Sequence, residues 1–404
     1  MRSTGMFEEC DYLVIGAGII GLTVARKLNQ RYPATQITLI EKEPDVALHS
    51  SGRNSGVLHA GFYYTADSLK AKLTRDGNAA MRKYCQQNGL RINECQKVVV
   101  TQTPEELPAL FELQKRGKTN GVDVRMIDEN ELAEIDPNAR THQYALYSPT
   151  TATVDPIEVN QCLKNELIKK GVRIYFVESY LKRISGNKIQ TSKRVIESKR
   201  LINTAGLYAD RIARDFGYSQ DYTIIPFKGI YLKYSREDKP VRTNIYPVPN
   251  LKNPFLGVHY TITVDGAIKI GPTAIPAFWR ENYSGLERFD AREMVEIVAR
   301  EAQLFLLNSF GFRDLAFEEI QKYNRSYFAN LAARLVKSID VKGFQEWTRP
   351  GIRAQLVNTR TLKLVMDFVV EGDELSTHIL NAVSPAFTCS FPFAKMIVDR
   401  IVKA

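Results

Sequence analysis

The sequence predicts an α/β fold in which a parallel-sheet domain is interleaved with a second, α+β domain that contains an antiparallel sheet. Three patterns support this prediction. An apolar run at 12–15 leads through a glycine-rich turn into helical periodicity, as in a βαβ unit. A helix pattern followed by a strand pattern at 155–177 suggests a return to the first sheet. Short aromatic strands at 226–271 then indicate the antiparallel sheet.

The turn after the first strand has the spacing G-x-G-x-x-G. Gly16 permits the tight turn, Gly18 lets a pyrophosphate approach the backbone, and Gly21 lets the helix pack closely on the strand. A second strand pattern at 36–40 ends at Glu41, where an acidic side chain can bind ribose hydroxyls. The motif predicts binding of an ADP moiety, and by itself it does not distinguish NAD from FAD.

Composition limits the function classes. The 404 residues suffice for two domains with substantial cores. The net charge of +10, from 55 basic and 45 acidic residues, favours acidic small molecules, an anionic membrane surface or nucleic acid. The basic residues are scattered and no nucleic-acid-binding signature is present, so we do not expect a nucleic-acid partner.

Cysteine usage and hydropathy indicate the compartment. The five cysteines are odd in number, widely spaced and form no C-x-x-C pair, which is typical of a reduced, cytoplasmic protein without a zinc site. Residues 1–10 carry no apolar signal core, and no window holds 18 consecutive apolar residues. Peripheral contact at the inner face of a membrane stays open.

Further elements follow from periodicity and from turn residues. Asp155 as N-cap, Pro156 at the first helical position and Gly171 beyond the end define one helix. Helices are predicted at 69–87, 104–119, 129–135, 155–170, 207–216, 288–307, 326–339 and 392–402. Strands are predicted at 98–100, 122–127, 144–148, 172–177, 181–196 (a hairpin), 200–206, 226–234, 245–249, 255–264, 267–271, 364–369 and 377–381. A small-residue turn at 385–390 is expected before the last helix.

The segment 49–64 is small, polar and glycine-rich, with an apolar and aromatic tail. One interpretation is a surface loop. The other is a backbone that lies against a flat ligand, which the small residues permit. His59 stands between an apolar pair and a glycine in this segment, so we expect a site here.

Ordered motifs along the chain match a known family. They include the glycine motif at 16–21, Ser-Gly-Arg-Asn-Ser-Gly-Val-Leu-His-Ala-Gly at 51–61, Asn-Thr-Ala-Gly-Leu-Tyr-Ala-Asp-Arg at 203–211, Asn-Ile-Tyr-Pro-Val-Pro at 244–249, Phe-Leu-Gly-Val-His-Tyr-Thr at 255–261 and Gly-Ile-Arg-Ala-Gln at 351–355. With these, the chain resembles the FAD-dependent oxidoreductases of the D-amino-acid-oxidase and glycerol-3-phosphate-dehydrogenase superfamily. Within that group it is most similar to L-2-hydroxyglutarate dehydrogenases and oxidases.

The resemblance implies FAD rather than NAD, and no metal. It implies a Rossmann-like FAD-binding domain at 1–95, 150–222 and 350–404, interleaved with a substrate domain at 96–149 and 223–349. The residues expected to contact FAD are Gly16, Gly18, Ile20, Gly21, Glu41, Lys42, Ser50, Ser51, Asn54, Ser55, Gly56, Val57, Leu58, Val177, Ala205, Gly206, Arg353, Pro385, Ala386, Phe387 and Thr388.

The implied reaction is oxidation of a small anionic 2-hydroxy acid, L-2-hydroxyglutarate to 2-oxoglutarate, by hydride transfer to flavin N5. The alternative within the superfamily is oxidation of an amino acid or an N-methylglycine-type amine. A third reading, from a different class and based on the net charge of +10, is a nucleotide-dependent binding protein or a partner in RNA modification. The electron acceptor, whether oxygen, quinone or a carrier protein, stays open.

The reaction requires a base and cations that hold carboxylates. His59 is the first choice as base and His259 is its rival; in some relatives a histidine near His59 anchors the flavin covalently. Arg353 is expected to bind the α-carboxylate. Lys228, which stands where the family commonly has an arginine, is a weaker choice for the distal carboxylate. Further candidates for substrate contact are Tyr64 and Tyr260.

Overall fold

The computed structural model describes residues 6–249 and 257–403. Its helices are α1 (Ile19–Arg31), α2 (Leu69–Gln87), α3 (Leu107–Thr119), α4 (Glu129–Ile135), α5 (Pro156–Lys169), α6 (Ala209–Asp215), α7 (Ala291–Leu306), α8 (Phe312–Gln321), α9 (Arg325–Ala333) and α10 (Ala386–Lys403). Its strands are β1 (Met6–Ile15), β2 (Ile37–Ile40), β3 (Val57–Leu58), β4 (Ile92–Asn93), β5 (Lys97–Val100), β6 (Arg125–Asp128), β7 (Tyr144–Ser148), β8 (Ala152–Val154), β9 (Arg173–Tyr175), β10 (Tyr180–Ser185), β11 (Lys188–Thr191), β12 (Arg194–Asn203), β13 (Tyr222–Gly229), β14 (Leu232–Tyr234), β15 (Asn244–Pro247), β16 (His259–Ile262), β17 (Ile268–Gly271), β18 (Ile275–Pro276), β19 (Phe344–Trp347), β20 (Gly351–Asn358), β21 (Val370–Gly372) and β22 (Ser376–Ile379).

The chain forms two compact units, each assembled from separate segments. The first unit comprises Met1–Asn54, Pro156–Ile225 and Arg353–Ala404. The second unit comprises Ser55–Asp155 and Pro226–Ile352. Helices and sheets of mixed orientation occur together, which confirms the predicted α/β class. The functional roles given to the five predicted segments stay a prediction.

The first unit is built on one large sheet with the order β10-β11-β12-β1-β2-β9. Its centre is parallel, because β1 pairs in parallel with both β2 and β12. Ile15 lies opposite Ile40 on one side and Asn203 on the other, so the carboxyl ends of three strands meet at one edge. Residues 13–15 of β1 and Ile37–Ile40 of β2, at the parallel centre of the sheet, are buried and largely apolar, as a parallel sheet covered by helices requires.

Helix α1 covers this sheet and contacts α5 and α10. The helix packs through Leu22, Val24 and Leu28, which are completely buried. Burial of each aliphatic side chain of this kind stabilises the folded protein by about 1.5–3 kcal/mol. The packing fixes the first turn of α1 against the edge where the strands end.

The second unit contains two four-stranded sheets, β15-β5-β7-β6 and β16-β17-β14-β19, and a small sheet in which β8 lies between β3 and β4. The second four-stranded sheet is antiparallel, and β5 pairs in parallel with β15 and antiparallel with β7. One core cluster joins the two larger sheets through Val98, Leu232, Ile245 and Ile270, with Phe328 of α9 packed on it. The predicted antiparallel sheet is therefore confirmed.

Several predicted elements differ from the structure. Helix α8 was not predicted, and the strand expected at 364–369 is replaced by Val370–Gly372. The helix expected at 326–339 ends at Ala333. The turn expected at 385–390 is already helical from Ala386. Pro392 lies inside α10, where the missing N–H removes one backbone hydrogen bond and destabilises the helix. The first two residues of the strand predicted at 255–264 lie outside the described residues.

Candidate cofactor and substrate sites

The glycine turn of the first unit leaves no room for side chains. Gly16 has φ of 98°, and a Cβ on it would lie 2.8 Å from the carbonyl oxygen of Thr204. A Cβ on Gly18 would lie 2.9 Å from Ser51 Oγ, and one on Gly21 would lie 2.0 Å from the carbonyl oxygen of Gly16. Close approach of backbone atoms thus explains Gly16 and Gly21, whereas a Cβ on Gly18 would meet the Ser51 side chain. The predicted approach of a pyrophosphate to Gly18 stays a prediction.

The first turn of α1 provides donors at this edge. The amide of Ile19 donates to Ser51 Oγ at 2.9 Å. Within the described part of the chain, the amides of Ile20 and Gly21 have no protein acceptor, as expected for N–H groups in the first turn of a helix. Together with the positive end of the helix dipole, these donors suit a diphosphate.

Glu41 is held in a fixed position at the end of β2. Its Oε2 accepts from the amide of Ala17 at 2.8 Å, and its Oε1 accepts from the amide of Glu43 at 3.0 Å. Burial raises the pKa of the Glu41 carboxyl, and the two amide hydrogen bonds oppose that shift. A carboxylate oriented in this way can accept from ribose hydroxyls, which fits the predicted role.

Other predicted FAD contacts lie along the same edge of the sheet. Val177 has φ of 53°, which is rare for a β-branched residue, and its amide donates to the carbonyl oxygen of Glu43 at 3.0 Å. Lys42 Nζ lies 3.4 Å from the Glu43 carboxylate. Ala205 and Gly206 come after Thr204 at the end of β12, where the chain turns beside Gly16 of the glycine motif. These residues fit an adenine nucleotide held at one sheet edge.

The remaining predicted contacts of the first unit lie in a loop, a helix start and a strand. Asn54 Nδ2 donates to the carbonyl oxygens of Ser50 and Ser51 at 3.1 and 2.9 Å, so this side chain shapes the loop. The predicted contacts Pro385, Ala386, Phe387 and Thr388 form the beginning of α10. Arg353 is partly buried in β20.

In the second unit, backbone pairing positions His59. The amide of Val57 donates to Ser55 Oγ at 3.3 Å, and the amide of Val154 donates to the carbonyl oxygen of Gly56 at 2.9 Å. Asn78 Nδ2 then donates to the carbonyl oxygens of Leu58 and His59, at 2.9 and 3.3 Å. These bonds fix the backbone of His59 directly after β3.

His259 is buried on β16 in its neutral form. Its Nδ1 lies 2.7 Å from the carbonyl oxygen of Gly257, so Nδ1 carries the proton and Nε2 is left as an acceptor. The imidazole stacks on the ring of Tyr246, with 3.6 Å between the ring centroids. Burial lowers the pKa of His259 to about 3.

The structure adds Lys97, which sequence reasoning missed. Its side chain is completely buried, and Nζ has no hydrogen-bond partner among the described residues. Nζ lies 4.0 Å from the ring centroid of Tyr246, 5.3 Å from that of Tyr63 and 5.8 Å from that of Phe62. Such contacts contribute about 2 kcal/mol when desolvated, whereas burying an ion costs several kcal/mol. Burial consequently lowers the pKa of Lys97 to about 7.

Lys97 and the two histidines form one basic cluster. Burial holds the pKa of His59 well below its usual value, and the charges of Lys97 and His259 lower it further. Both imidazoles are therefore neutral at pH 7 and able to accept a proton. The structure thus brings together His59 and His259, the two residues proposed as base.

The other predicted substrate contacts of the second unit differ in their surroundings. Lys228 Nζ donates to Asn282 Oδ1 at 3.3 Å, and burial lowers its pKa. Tyr64 is partly exposed, and its ring lies 5.8 Å from Lys70 Nζ. Tyr260 is completely buried within the core cluster, on the face of β16 opposite to His259. A substrate role for Tyr260 stays a prediction, and its burial favours packing.

Lys97→Met is expected to raise the free energy of unfolding by about 1–4 kcal/mol near pH 7, because it replaces a buried charge by an apolar side chain of similar length. The gain should depend on pH. With a pKa of about 7 in the folded protein and 10.5 as its ordinary value, Lys97 makes the unfolded wild type bind more protons between these pH values. Wild-type stability therefore rises across that range, and the advantage of the variant should shrink toward pH 10.

Chemical denaturation at pH 6.5 and pH 10 measures this difference. Lys72→Met, at an exposed position of α2, is the matched control and should show no comparable pH dependence. If Lys97→Met raises the free energy of unfolding equally at both pH values, the pKa of Lys97 is not lowered by burial in the folded protein.

Comparisons with known proteins agree with this geometry. A family model described as FAD-dependent oxidoreductase, the DAO family, matches residues 11–400. The mitochondrial L-2-hydroxyglutarate dehydrogenase of Caenorhabditis elegans is 36% identical over 413 residues, which cover 97% of this chain and 93% of the relative. The L-2-hydroxyglutarate dehydrogenase of Escherichia coli is 33% identical over 401 residues, with the same coverage of 97% and 93%.

Solved structures show the same fold. L-α-glycerophosphate oxidase from Mycoplasma pneumoniae with FAD bound superposes with a TM-score of 0.78 at 20% identity, covering 98% of this chain and 95% of that one. Glycine oxidase from Geobacillus kaustophilus superposes with a TM-score of 0.70 at 16% identity and the same coverage. The chain belongs to the family of FAD-dependent oxidoreductases, which confirms the resemblance and the FAD dependence that its motifs predicted.

Proposed function

We propose that this protein oxidises L-2-hydroxyglutarate, or a 2-hydroxy acid of closely similar structure, to the corresponding 2-oxo acid. The observation that carries the proposal is the similarity to L-2-hydroxyglutarate dehydrogenases of animals and bacteria, at 33–36% identity over 96–97% of this chain. The basic cluster of Lys97, His59 and His259 supports it, because an anionic substrate suits a buried cluster of basic groups.

When bound, FAD supplies the acceptor for the hydride that leaves the carbinol carbon. The protein has to hold the carboxylates and take the hydroxyl proton. We propose His59 as the base, with His259 as its rival, since both are neutral and can accept a proton. Arg353 is proposed for the α-carboxylate, where its planar fork can donate two parallel hydrogen bonds. Lys228 is the weaker choice for the second carboxylate, because its Nζ already has a partner in Asn282.

The FAD contacts that lie in the first unit are proposed on the geometry of that unit. Ser55, Gly56, Val57 and Leu58 lie in the second unit and are proposed on the family resemblance. The glycine turn, the free amides of Ile20 and Gly21 and the fixed carboxylate of Glu41 fit the diphosphate and the ribose of the cofactor. The segments 1–95, 150–222 and 350–404 are accordingly proposed to bind FAD, and 96–149 and 223–349 to bind substrate.

As an oxidoreductase, the protein requires a substrate and an electron acceptor. None of the described helices is both long and apolar enough to span a bilayer. Helices α7 and α8 nevertheless expose apolar side chains to solvent, a feature named here the α7–α8 surface. Its members are Val295, Val298, Leu306, Leu307, Phe317 and Ile320.

Both helices bury acidic side chains while apolar side chains of the α7–α8 surface are exposed. Leu306 is 74% exposed, whereas Glu301 of the same helix is 8% exposed and Glu319 of α8 is 3% exposed. Exposed apolar surface of this kind marks an interaction site. The proposed occupant is a membrane surface into which these apolar side chains insert. The net charge of +10 of the whole chain favours an anionic surface, whereas α7 and α8 themselves hold three basic and six acidic residues, so the apolar side chains have to supply the contact.

The function is tested by anaerobic reduction of the purified flavoprotein. L-2-Hydroxyglutarate should bleach the yellow flavin absorbance, and the D-enantiomer, glycine and sarcosine should bleach it at least about a hundredfold more slowly. Rapid reduction by an amino acid or by sarcosine, with none by L-2-hydroxyglutarate, would instead place the protein among the amine oxidases.

His59→Asn is expected to slow anaerobic flavin reduction by a factor of about 10² to 10⁴, since that is the usual cost of removing a general base. The substrate should still perturb the flavin spectrum on binding. His259→Asn is the comparison variant. If flavin reduction is lost in His259→Asn but not in His59→Asn, His259 is the base. If flavin stays attached to the denatured wild type but not to denatured His59→Asn, His59 is a covalent anchor of the flavin.

Membrane contact is tested by sedimentation with vesicles of phosphatidylglycerol and phosphatidylcholine. The wild type should sediment with the anionic vesicles, and the double variant Val298→Glu, Leu306→Glu should sediment several-fold less. The matched control is Leu181→Glu, Ile184→Glu, which makes the same charge change on exposed apolar residues of β10. Equal sedimentation of the two double variants would exclude the α7–α8 surface as the contact.

A further inference from the structure

Two polar groups of the second unit are buried together without a protein partner. Lys97 Nζ and the Tyr63 hydroxyl both lack a hydrogen-bond partner among the described residues. The ring of Tyr63 has its centroid 5.3 Å from Nζ. Buried polar groups in native proteins are hydrogen-bonded in the great majority, so a pair of orphaned groups at one place requires an explanation.

We propose that Lys97 and Tyr63 form a binding site for a carboxylate of the substrate. This inference deepens the proposed function and rests on it, because it assigns the group that recognises the acidic substrate. An ammonium and a phenolic hydroxyl are both hydrogen-bond donors, and a carboxylate accepts from both. Binding supplies a counter-charge that none of the described residues around Lys97 provides.

The position of Lys97 follows from the sheet. On β5, Lys97 and Val99 share a face, because side chains alternate along a strand. Tyr246 lies opposite Val99 in the neighbouring strand β15 and covers the same face. Lys97 thus projects to the side of the sheet where Val99 packs with Phe62 and Tyr246. Alternation along a buried strand puts the ammonium among aromatic rings rather than in water.

The surroundings of Lys97 contain no negative charge within the described residues. The groups that interact with it electrostatically are His59, His259 and Cys95, and burial raises the pKa of the Cys95 thiol, which keeps it neutral. Tyr63 and Tyr246 are neutral as well, because burial holds their pKa values well above 10.

Lys269 of the same unit is a second lysine against an aromatic ring, and it has carboxylates near it. Its Nζ lies 4.6 Å from the ring centroid of Tyr231. Burial lowers its pKa to about 8, and the carboxylates of Asp265 and Asp155 oppose that shift. Since Lys269 has carboxylates of the protein as neighbours, it needs no ligand. Among the described residues Lys97 has no carboxylate neighbour, and in this the two lysines differ.

A carboxylate bound at Lys97 must change the protonation of this lysine. With a pKa of about 7, Lys97 is mostly neutral at pH 8. A bound anion favours the charged form, so binding at pH 8 should take up about one proton per site. His59 and His259 titrate well below this pH and contribute little. A purely structural lysine would give no such uptake.

The experiment is calorimetry of 2-oxoglutarate binding to the oxidised holoenzyme at pH 8, in two buffers with different ionisation enthalpies. The wild type should take up about one proton on binding. Lys97→Met should bind about 10- to 100-fold more weakly and take up none. Tyr63→Phe should bind about three- to tenfold more weakly and retain the uptake. Lys269→Met is the matched control and should bind like the wild type.

The outcomes separate this inference from the proposed function. If the wild type binds 2-oxoglutarate without proton uptake, or if Lys97→Met binds as tightly as wild type, the Lys97 site is wrong while the proposed function stands. If the wild type does not bind 2-oxoglutarate but binds another carboxylate with a proton uptake that requires Lys97, the proposed substrate is wrong while the Lys97 site stands. Binding of no carboxylate at all would overturn both.

Discussion

The parallel pairing of β1 with β2 and β12 is the constraint on which the first unit depends. It brings the ends of three strands to one edge, so that Gly16, Glu41 and Thr204 become neighbours although they are far apart in the sequence. The left-handed backbone of Gly16 then turns the chain into α1. Donors from the helix and an oriented carboxylate arise from this arrangement, and a dinucleotide needs both.

In the second unit, burial of positive charge has the corresponding importance. A completely buried lysine ordinarily destabilises the folded protein, because its charge loses contact with water. The aromatic neighbours of Lys97 offset only part of that free-energy cost. Burial is the main reason why the pKa of His59 is low, and the charge of Lys97 lowers it further, because protonating an imidazole beside an ammonium is unfavourable. Buried basic groups without a counter-charge among the described residues are consistent with a site that binds an acidic substrate. Such a site lowers the stability of the protein in the absence of substrate.

The cofactor-binding residues could be predicted from the spacing of residues that are close together in the sequence. The glycine motif and Glu41 were recognisable because each stands at a fixed distance from a strand end. Lys97 was not recognisable, since a lysine at the start of an apolar run is usually solvent-exposed and its burial depends on residues distant in sequence. Helix α8 was missed for a related reason, because it buries Glu319 and exposes Phe317.

The most direct test of the account is a crystal structure of the holoenzyme with 2-oxoglutarate bound. The account predicts a carboxylate oxygen of the ligand within hydrogen-bond distance of Lys97 Nζ, with the Tyr63 hydroxyl as a second donor. It would be contradicted by a ligand whose two carboxylates are bound entirely by other residues, with Lys97 Nζ still facing only the rings of Tyr246, Tyr63 and Phe62.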